Sequence, residues 1–534
     1  MSNSPDGSPE EPVPVSSYDP HNVRVDATAL EPETVSRSDV PSERPRCPIL
    51  SLPIELLDAI LSYLHPIDLA AVSQTCRAIR SRAIADIHWL PHVQANIPGL
   101  TLASPYPCDN YRDLYAAHDP RWFLPKYKIW FCDRHLMGKM IVVRYDPRRG
   151  CIEGYQLLAV SSLTNPQHWA ADDQVIIHSF EPRVKLHLDK PVVQFHVGDR
   201  DRSYVPVSGP TAGCRFASEL PMTLDNRPDH IFSNFSLARP LHPVTVDFRL
   251  DSDFPYGDVW PPPAIPSPQR VSGFASASDL DYVVDDDRPR ARAEMSDRAF
   301  RIRQWMEMAG PPGTPSVMLG PGLARVLHVV AGFVPINAIG GGAPPPVHGL
   351  AGPHIGEEII TYATLDPKLY TPTELKPWRG IWVGDYSGHG CEFLLVHQPD
   401  TEDDNATDEK LGVIRVEHES DDDWEKRRKE ARIYRGRLEA VKLTGDPNVP
   451  RGEHTFIVDD LGEAGLVGIA QDPPFEGARI MKSKGHVAGT GFYNDKFIDS
   501  QLLLLSYDKL AQYWVSFGHI SYFQRVDLDS FLVP

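Results

Sequence analysis

The sequence predicts an α+β multidomain chain, in which a small three-helix module is followed by a large antiparallel β-barrel or sandwich domain with long irregular insertions. Three observations predict it. The stretch from Cys47 to Ala85 is strongly helical and strongly apolar. From Tyr127 onward, short β-branched and aromatic runs are split by Pro, Gly and Asp turns, the mark of strands. Proline, at 52 of 534 residues, is about twice its average usage and marks long segments of neither kind. The length leaves room for roughly two to four domains.

Residues 1–46 are rich in Pro, Ser, Glu and Asp and poor in aromatics, so they read as a disordered tail. They have neither a basic start nor an apolar core, so they do not read as a signal peptide. The helical module follows, over 47–92. Ser51 is placed to cap a helix, with Pro53 in its first turn. The helix then carries Ile54, Leu56, Leu57, Ala59, Ile60, Leu61 and Leu64, and Glu55, Asp58 and Ser62 keep one narrow polar face. Pro66 is expected to stop this helix and Asp68 to cap the next, which runs through Leu69 to Val72 towards Cys76. Arg77, Arg80 and Arg82 make a basic third segment. A unit this small cannot cover so much apolar surface alone, which argues for a partner protein.

The segment closely resembles an F-box. The residues that carry the likeness are Leu52-Pro53-Ile54-Glu55, Ile60-Leu61-Ser62-Tyr63-Leu64, Asp68-Leu69 and Cys76-Arg77. The resemblance implies a three-helix module that binds the adaptor Skp1 and through it a cullin-1/RING ubiquitin ligase. Leu52, Pro53, Leu56, Ile60, Leu61, Leu64 and Leu69 are the expected adaptor contacts.

Residues 93–125 read as a helical linker with a short helix at Tyr111 to His118. The first half of the β-rich domain spans 126–251, with strands expected at 127–131, 139–145, 155–160, 175–180, 183–188 and 192–196. Such spacing favours a β-sandwich or barrel. A Pro/Gly-rich insertion occupies 252–350, with the acidic Asp285-Asp286-Asp287, the run Ile339 to Pro346, and a short helix expected at Ser296 to Met308. The second half spans 351–534, with strands expected at 358–363, 380–383, 392–397, 498–506, 513–517 and 521–526. A charged insertion at 400–430 reads as a solvated loop or helix.

The bulk chemistry narrows the function classes. A net charge of -19 argues against non-specific nucleic-acid binding, which needs Lys and Arg on phosphates. No stretch approaches the roughly 20 apolar residues of a membrane span. The seven cysteines are scattered and include no Cys-x-x-Cys pair, so neither a metal site nor a disulfide framework is expected. A reducing compartment, cytoplasm or nucleus, is the default. Gly489-x-Gly491 lacks the Lys-Ser or Lys-Thr of a phosphate loop, and no Gly-x-Ser-x-Gly elbow occurs. No catalytic residue and no cofactor are expected.

A second informative stretch runs from Trp378 to Val396. Two apolar runs flank a turn built on Gly384, Gly388 and Gly390, which displays Asp385, Tyr386 and His389. His389, His486 and His519 fit hydrogen-bonded turn histidines better than a metal site, and Trp378, Trp382 and Trp514 fit a barrel core. With Gly489-Thr490-Gly491-Phe492 and the closing Trp-containing strands, this half resembles the substrate-binding barrel of the F-box only protein 31 group. That resemblance implies a receptor for protein clients, with C-terminal features of the client as one mode of recognition. Asp385, His389 and Thr490 are the nominated substrate-binding residues. The expected function is therefore the substrate-recognition subunit of an SCF-type ligase. Two alternatives stand beside it: a small-molecule or enzymatic barrel whose F-box controls turnover, and a Skp1-bound scaffold without cullin.

Overall fold

The computed structural model describes residues 47–160, 167–178, 180–198, 220–222, 224, 231–250, 258–273, 288–306, 358–386, 390–401, 404 and 406–534. The tail at 1–46, Asp285 to Asp287, the run at 309–350, Gly388 and His389 lie outside the described residues. Among the described residues, 47–57 and those from Asp58 onward belong to two compact units.

The helical region begins with a 3₁₀ turn, Pro48–Ser51. The Ser51 hydroxyl is used on that turn, donating to the Pro48 carbonyl at 2.6 Å. It therefore caps nothing, and the Pro53 carbonyl instead accepts from the Leu57 N–H at 3.1 Å. Helix α1 spans Ile54–Leu61, α2 Pro66–Val72 and α3 Arg77–Ala83. Pro66 opens α2 rather than closing α1, because a first-turn N–H has no intrahelical partner to lose. Asp68 is not the cap, a place taken by His65. It lies in the first turn, where its charge suits the helix dipole. Two helices of this region went unread in the sequence: α4, Asp86–Gln94, which holds Pro91, and α6, Phe123–Tyr127. Between them α5, Tyr111–His118, forms at the predicted place, with the Asn110 side chain accepting from the Asp113 N–H at 2.9 Å.

The strands gather into an eight-stranded sheet and a barrel. The sheet has the order β6-β3-β2-β1-β12-β11-β8-β7. Its members are β1 Ile129–Cys132, β2 Met140–Asp146, β3 Cys151–Val160, β6 Arg183–His196, β7 Leu220–Pro221, β8 Ile231–Leu237, β11 Ala299–Met306 and β12 Glu358–Ala363. Where two strands were expected at 183–188 and 192–196, β6 is continuous. Its register with β3 shifts opposite Pro191, so the ladder bulges at the missing N–H instead of ending. The helix expected at Ser296 to Met308 is instead the strand β11, paired with β8 on one side and β12 on the other. Phe300 and Ile302 alternate with Arg301 and Arg303, and all four are buried, so the period of two wins once both edges are hydrogen-bonded. A small hairpin, β9 Val259–Trp260 with β10 Val271–Ser272, also falls within the predicted insertion.

The barrel closes on itself. Its strands are β13 Gly380–Asp385, β14 Cys391–His397, β15 Leu438–Lys442, β16 His454–Val458, β18 Arg479–Gly489, β19 Tyr493–Leu504, β20 Lys509–Trp514 and β21 His519–Arg525. Each pairs antiparallel with the next, and β21 pairs back to β13, with Trp382 opposite Arg525. Three strands are appended. β17 Leu466–Ile469 pairs with β18, and β4 Gln167–Trp169 follows β5 Asp172–Ile177, which joins β21 in parallel. The two sequence halves thus exchange strands: β4 and β5 extend the barrel sheet, and β12 sits inside the other sheet. The charged insertion forms a helix, Asp421–Ile433, capped by the Ser420 side chain.

Alternation along the barrel strands sorts two apolar cores. Trp382, Leu394, Val396, Ala440, Phe456, Met481, Leu502, Leu510 and Phe523 fill the interior. The intervening residues, among them Ile381, Val383, Leu395, Val441 and Ile520, face outward and share a second core with Ile129, Phe131, Met140 and Val142 of the first sheet. The barrel therefore has a packed interior and a buried outer wall.

Candidate functional site

Two places carry candidate function. The first is the helical region. Leu52, Pro53, Leu56 and Ile60 are exposed, and Leu64 is half-buried. Leu61 and Leu69 are 2% and 0% exposed. Both are corrected from adaptor contacts to interior residues, since a side chain already enclosed offers no surface to a partner. Ile54, Tyr63 and Ile67, which the sequence reading did not nominate, are exposed instead. Leu56 and Ile60 are four apart on α1 and so lie on one helix face.

Polar ties hold α4 to the helices before it. Asp58 on α1 accepts from Arg82 Nε at 3.0 Å and meets His88 Nε2 at 3.2 Å. Hydrogen bonding to Arg82 holds the Asp58 carboxyl below its ordinary value, against the upward push of burial. The Trp89 indole donates to the Ala83 carbonyl at 2.8 Å, and His92 Nε2 meets the Leu64 carbonyl at 3.1 Å.

The second place is one end of the barrel. The interior positions that are apolar at the other end become polar here. Glu392 is in phase with Leu394 and Val396, Lys442 with Leu438 and Ala440, Ser500 with Leu502, and Gln512 with Leu510. A cavity of about 300 Å³ opens at this end, lined by Tyr386, Lys442, Asp446, His486, Trp514 and Phe517 among others. Two glycines make room for its walls. A Cβ on Gly384 would lie 2.6 Å from the Phe523 ring, and one on Gly485 would lie 2.5 Å from Trp514.

The cavity's charge is concentrated in one cluster. Lys442 Nζ lies 2.8 Å from Glu392 Oε2 and 2.7 Å from Asp446 Oδ2. It also sits 4.6 Å from the Tyr386 ring centre, a cation–π contact. The Tyr386 hydroxyl is 2.6 Å from Thr455 Oγ1. Burial pushes the Glu392 carboxyl up to about 8, a rise that Lys442 only partly offsets. Burial also raises Asp446, but Lys442 and hydrogen bonds, including those from the Asn448 and Val449 N–H groups, bring it down to about 2. The opposite wall is aromatic. Trp514 and His519 each lie within about 6 Å of the exposed Phe517. Burial, with His178 nearby, holds His519 below its ordinary value. His486 is enclosed, its ring stacked 4.4 Å from Phe497 and its nitrogens against the His454 carbonyl and Asp495.

The nominated substrate residues fall around this cavity unevenly. Asp385 pairs with Cys391 on the outward face shared with Val383, so strand alternation places it off the interior side that the cavity opens from. His389 lies outside the described residues. Thr490 is exposed at the rim and donates to Asn448 Oδ1 at 3.1 Å, and Asn448 lines the cavity. Sequence reasoning missed Glu392, Lys442 and Asp446. For Glu392 and Lys442 the signal was present: a lone charge in phase with interior apolar residues of a strand.

Comparison with known proteins divides the chain in the same way. A family model described as F-box-like matches residues 49–90, and one described as cyclin D1 binding domain matches residues 362–530. The chain thus carries an F-box-like domain. It is also similar to Protein EXECUTER 2, chloroplastic, of Arabidopsis thaliana, with 24% identity over 164 residues. That match covers 30% of this chain and 22% of the relative.

Proposed function

We propose that this protein is the substrate-receptor subunit of an SCF-type ubiquitin ligase, binding Skp1 through its F-box-like domain and a protein client at the polar end of the barrel. One observation carries the reading: the segment matched as F-box-like leaves Leu52, Ile54, Leu56, Ile60, Tyr63 and Ile67 exposed, an apolar surface that a partner must cover. The cyclin D1 binding description of the barrel segment supports a protein as the second ligand. A receptor of this kind needs no catalytic residue. It works by raising the effective concentration of a client lysine near the charged conjugating enzyme.

The test is affinity purification of the full chain and of a Leu52→Ala/Pro53→Ala variant from proteasome-inhibited cells. Skp1 and cullin are expected with the intact chain and not with the variant, while clients stay on both. Equal recovery of Skp1 by both forms would overturn the assignment of these contacts. The cluster of titratable groups in the cavity favours a second reading, an enzymatic barrel whose turnover the F-box controls. Turnover of a small molecule by the purified chain, lost in the Lys442→Met variant, would favour it.

A further inference from the structure

Lys442 is 2% exposed, yet it lines the cavity. Its ammonium donates to Asp446 Oδ2 at 2.7 Å and lies 2.8 Å from Glu392 Oε2 as an ion pair. Asp446 is fully used, accepting from the Asn448 and Val449 N–H groups as well. Glu392 is not: its side chain is equally enclosed, and neither of its oxygens has a hydrogen-bonding partner among the described residues. One lysine thus stands between two buried carboxylates. The trio carries one net negative charge when both acids are ionised and none when Glu392 holds a proton.

Resting on the reading of the barrel cavity as the client site, we propose that Glu392 is its positioning residue. It sets the charge around the Lys442 ammonium, which an acceptor oxygen of the client meets, so that binding an anionic client group is coupled to a proton on Glu392. The physical reason is local charge. An anionic oxygen brought to Lys442 adds a second negative charge beside Asp446. A low-dielectric interior tolerates that only if Glu392 is neutral. A neutral acceptor, such as a carboxamide oxygen, makes no such demand.

The groups acting on Glu392 are Lys442 from β15, Asp446 after it and Tyr386 after β13, and His486 from β18 and His519 from β21 line the same cavity. Asp446 lies far below the neutral range and burial carries Tyr386 well above it, so neither changes charge between pH 7 and 9. Glu392, raised by burial to about 8, changes within that window. The sign follows. Affinity for an anionic group is full below this value and falls above it, by about tenfold from pH 7 to pH 9 for one linked proton.

The experiment uses the full chain and a pool of random linear peptides. Peptides are kept if the exposed-rim variant Phe517→Ala or the variant Lys442→Met weakens them. Each acidic peptide is then compared with its Asp→Asn or Glu→Gln counterpart at pH 7 and pH 9, on the wild type, on Glu392→Gln and on His486→Gln. The acidic peptide is expected to lose about tenfold on the wild type and on His486→Gln, and to hold its affinity on Glu392→Gln. The neutral counterpart is expected to hold its affinity on all three. A pH loss that persists in Glu392→Gln, or that vanishes in His486→Gln, overturns the proposal and leaves the client-site reading standing. Recovery of no peptide sensitive to Phe517→Ala or Lys442→Met overturns the client-site reading, and the proposal with it.

Discussion

At the residue scale, the informative positions are charges where alternation calls for apolar side chains. Lys442 and Glu392 occupy interior positions one strand apart, and their fields meet in a space too dry to screen them. A buried pair of this kind adds little stability over an apolar substitute, but breaking it leaves an uncompensated charge. Lys442→Met should therefore cost about 3–5 kcal/mol in urea denaturation of the full chain, through the stranded Asp446 and Glu392. Adding Asp446→Asn and Glu392→Gln to the same background should restore a good part of that loss. A triple variant no more stable than Lys442→Met would show that the methionine's shape, and not the stranded charge, is responsible.

At the element scale, the same apolar residue types do two different jobs along the first two helices. Leu61 and Leu69 are enclosed, whereas Leu56 and Ile60 are open to solvent. Leu69→Ala should therefore cost about 2–5 kcal/mol by leaving a cavity. Leu56→Asp with Ile60→Asp should change stability by no more than about 0.5 kcal/mol each while abolishing Skp1 recovery. Thermal denaturation beside a Skp1 pull-down separates the two effects. If the double aspartate variant melts like Leu69→Ala, its side chains belong to the fold and not to an interface. β11 teaches a related lesson. Its sequence, AFRIRQWM, carries no Pro or Gly and reads equally as helix, and only the partners on both edges make it a strand.

At the scale of the whole molecule, the barrel does not stand alone. The segment matched as cyclin D1 binding domain, 362–530, contains all eight closing strands, yet its outer wall is buried against β1 and β2 of the other sheet. It also borrows β5 along the edge of β21. Cut out by itself, it would turn Ile381, Val383, Leu395 and Ile520 to water, a contiguous apolar face of the kind that drives association. Expressed alone, residues 362–530 should self-associate on light scattering, and a chain beginning before β1 should remain monomeric at the same concentration. A monomeric, cooperatively melting fragment would show that the outer core is dispensable.

The sequence by itself determined the parts written in local pattern. The F-box-like segment was legible in one unbroken stretch, because apolar periodicity acts within a few residues, although its cap residues and the role of Pro66 were misread. About half of the strands and the helix at Tyr111 to His118 were legible for the same reason, whereas the barrel strands β15, β16 and β18 were not read. Tertiary structure alone decided everything that depends on which strand neighbours which. It closed the barrel by bringing β21 back to β13, carried β12 across to the other sheet, and made 299–306 a strand. It also moved the candidate site from the conspicuous Gly-rich turn to Glu392, Lys442 and Asp446. Glu392 is remote in sequence from Lys442 and Asp446, and a charge in a strand reveals its role only once alternation and closure turn it inward. Distance in sequence carries no electrostatic energy, and distance in the fold does.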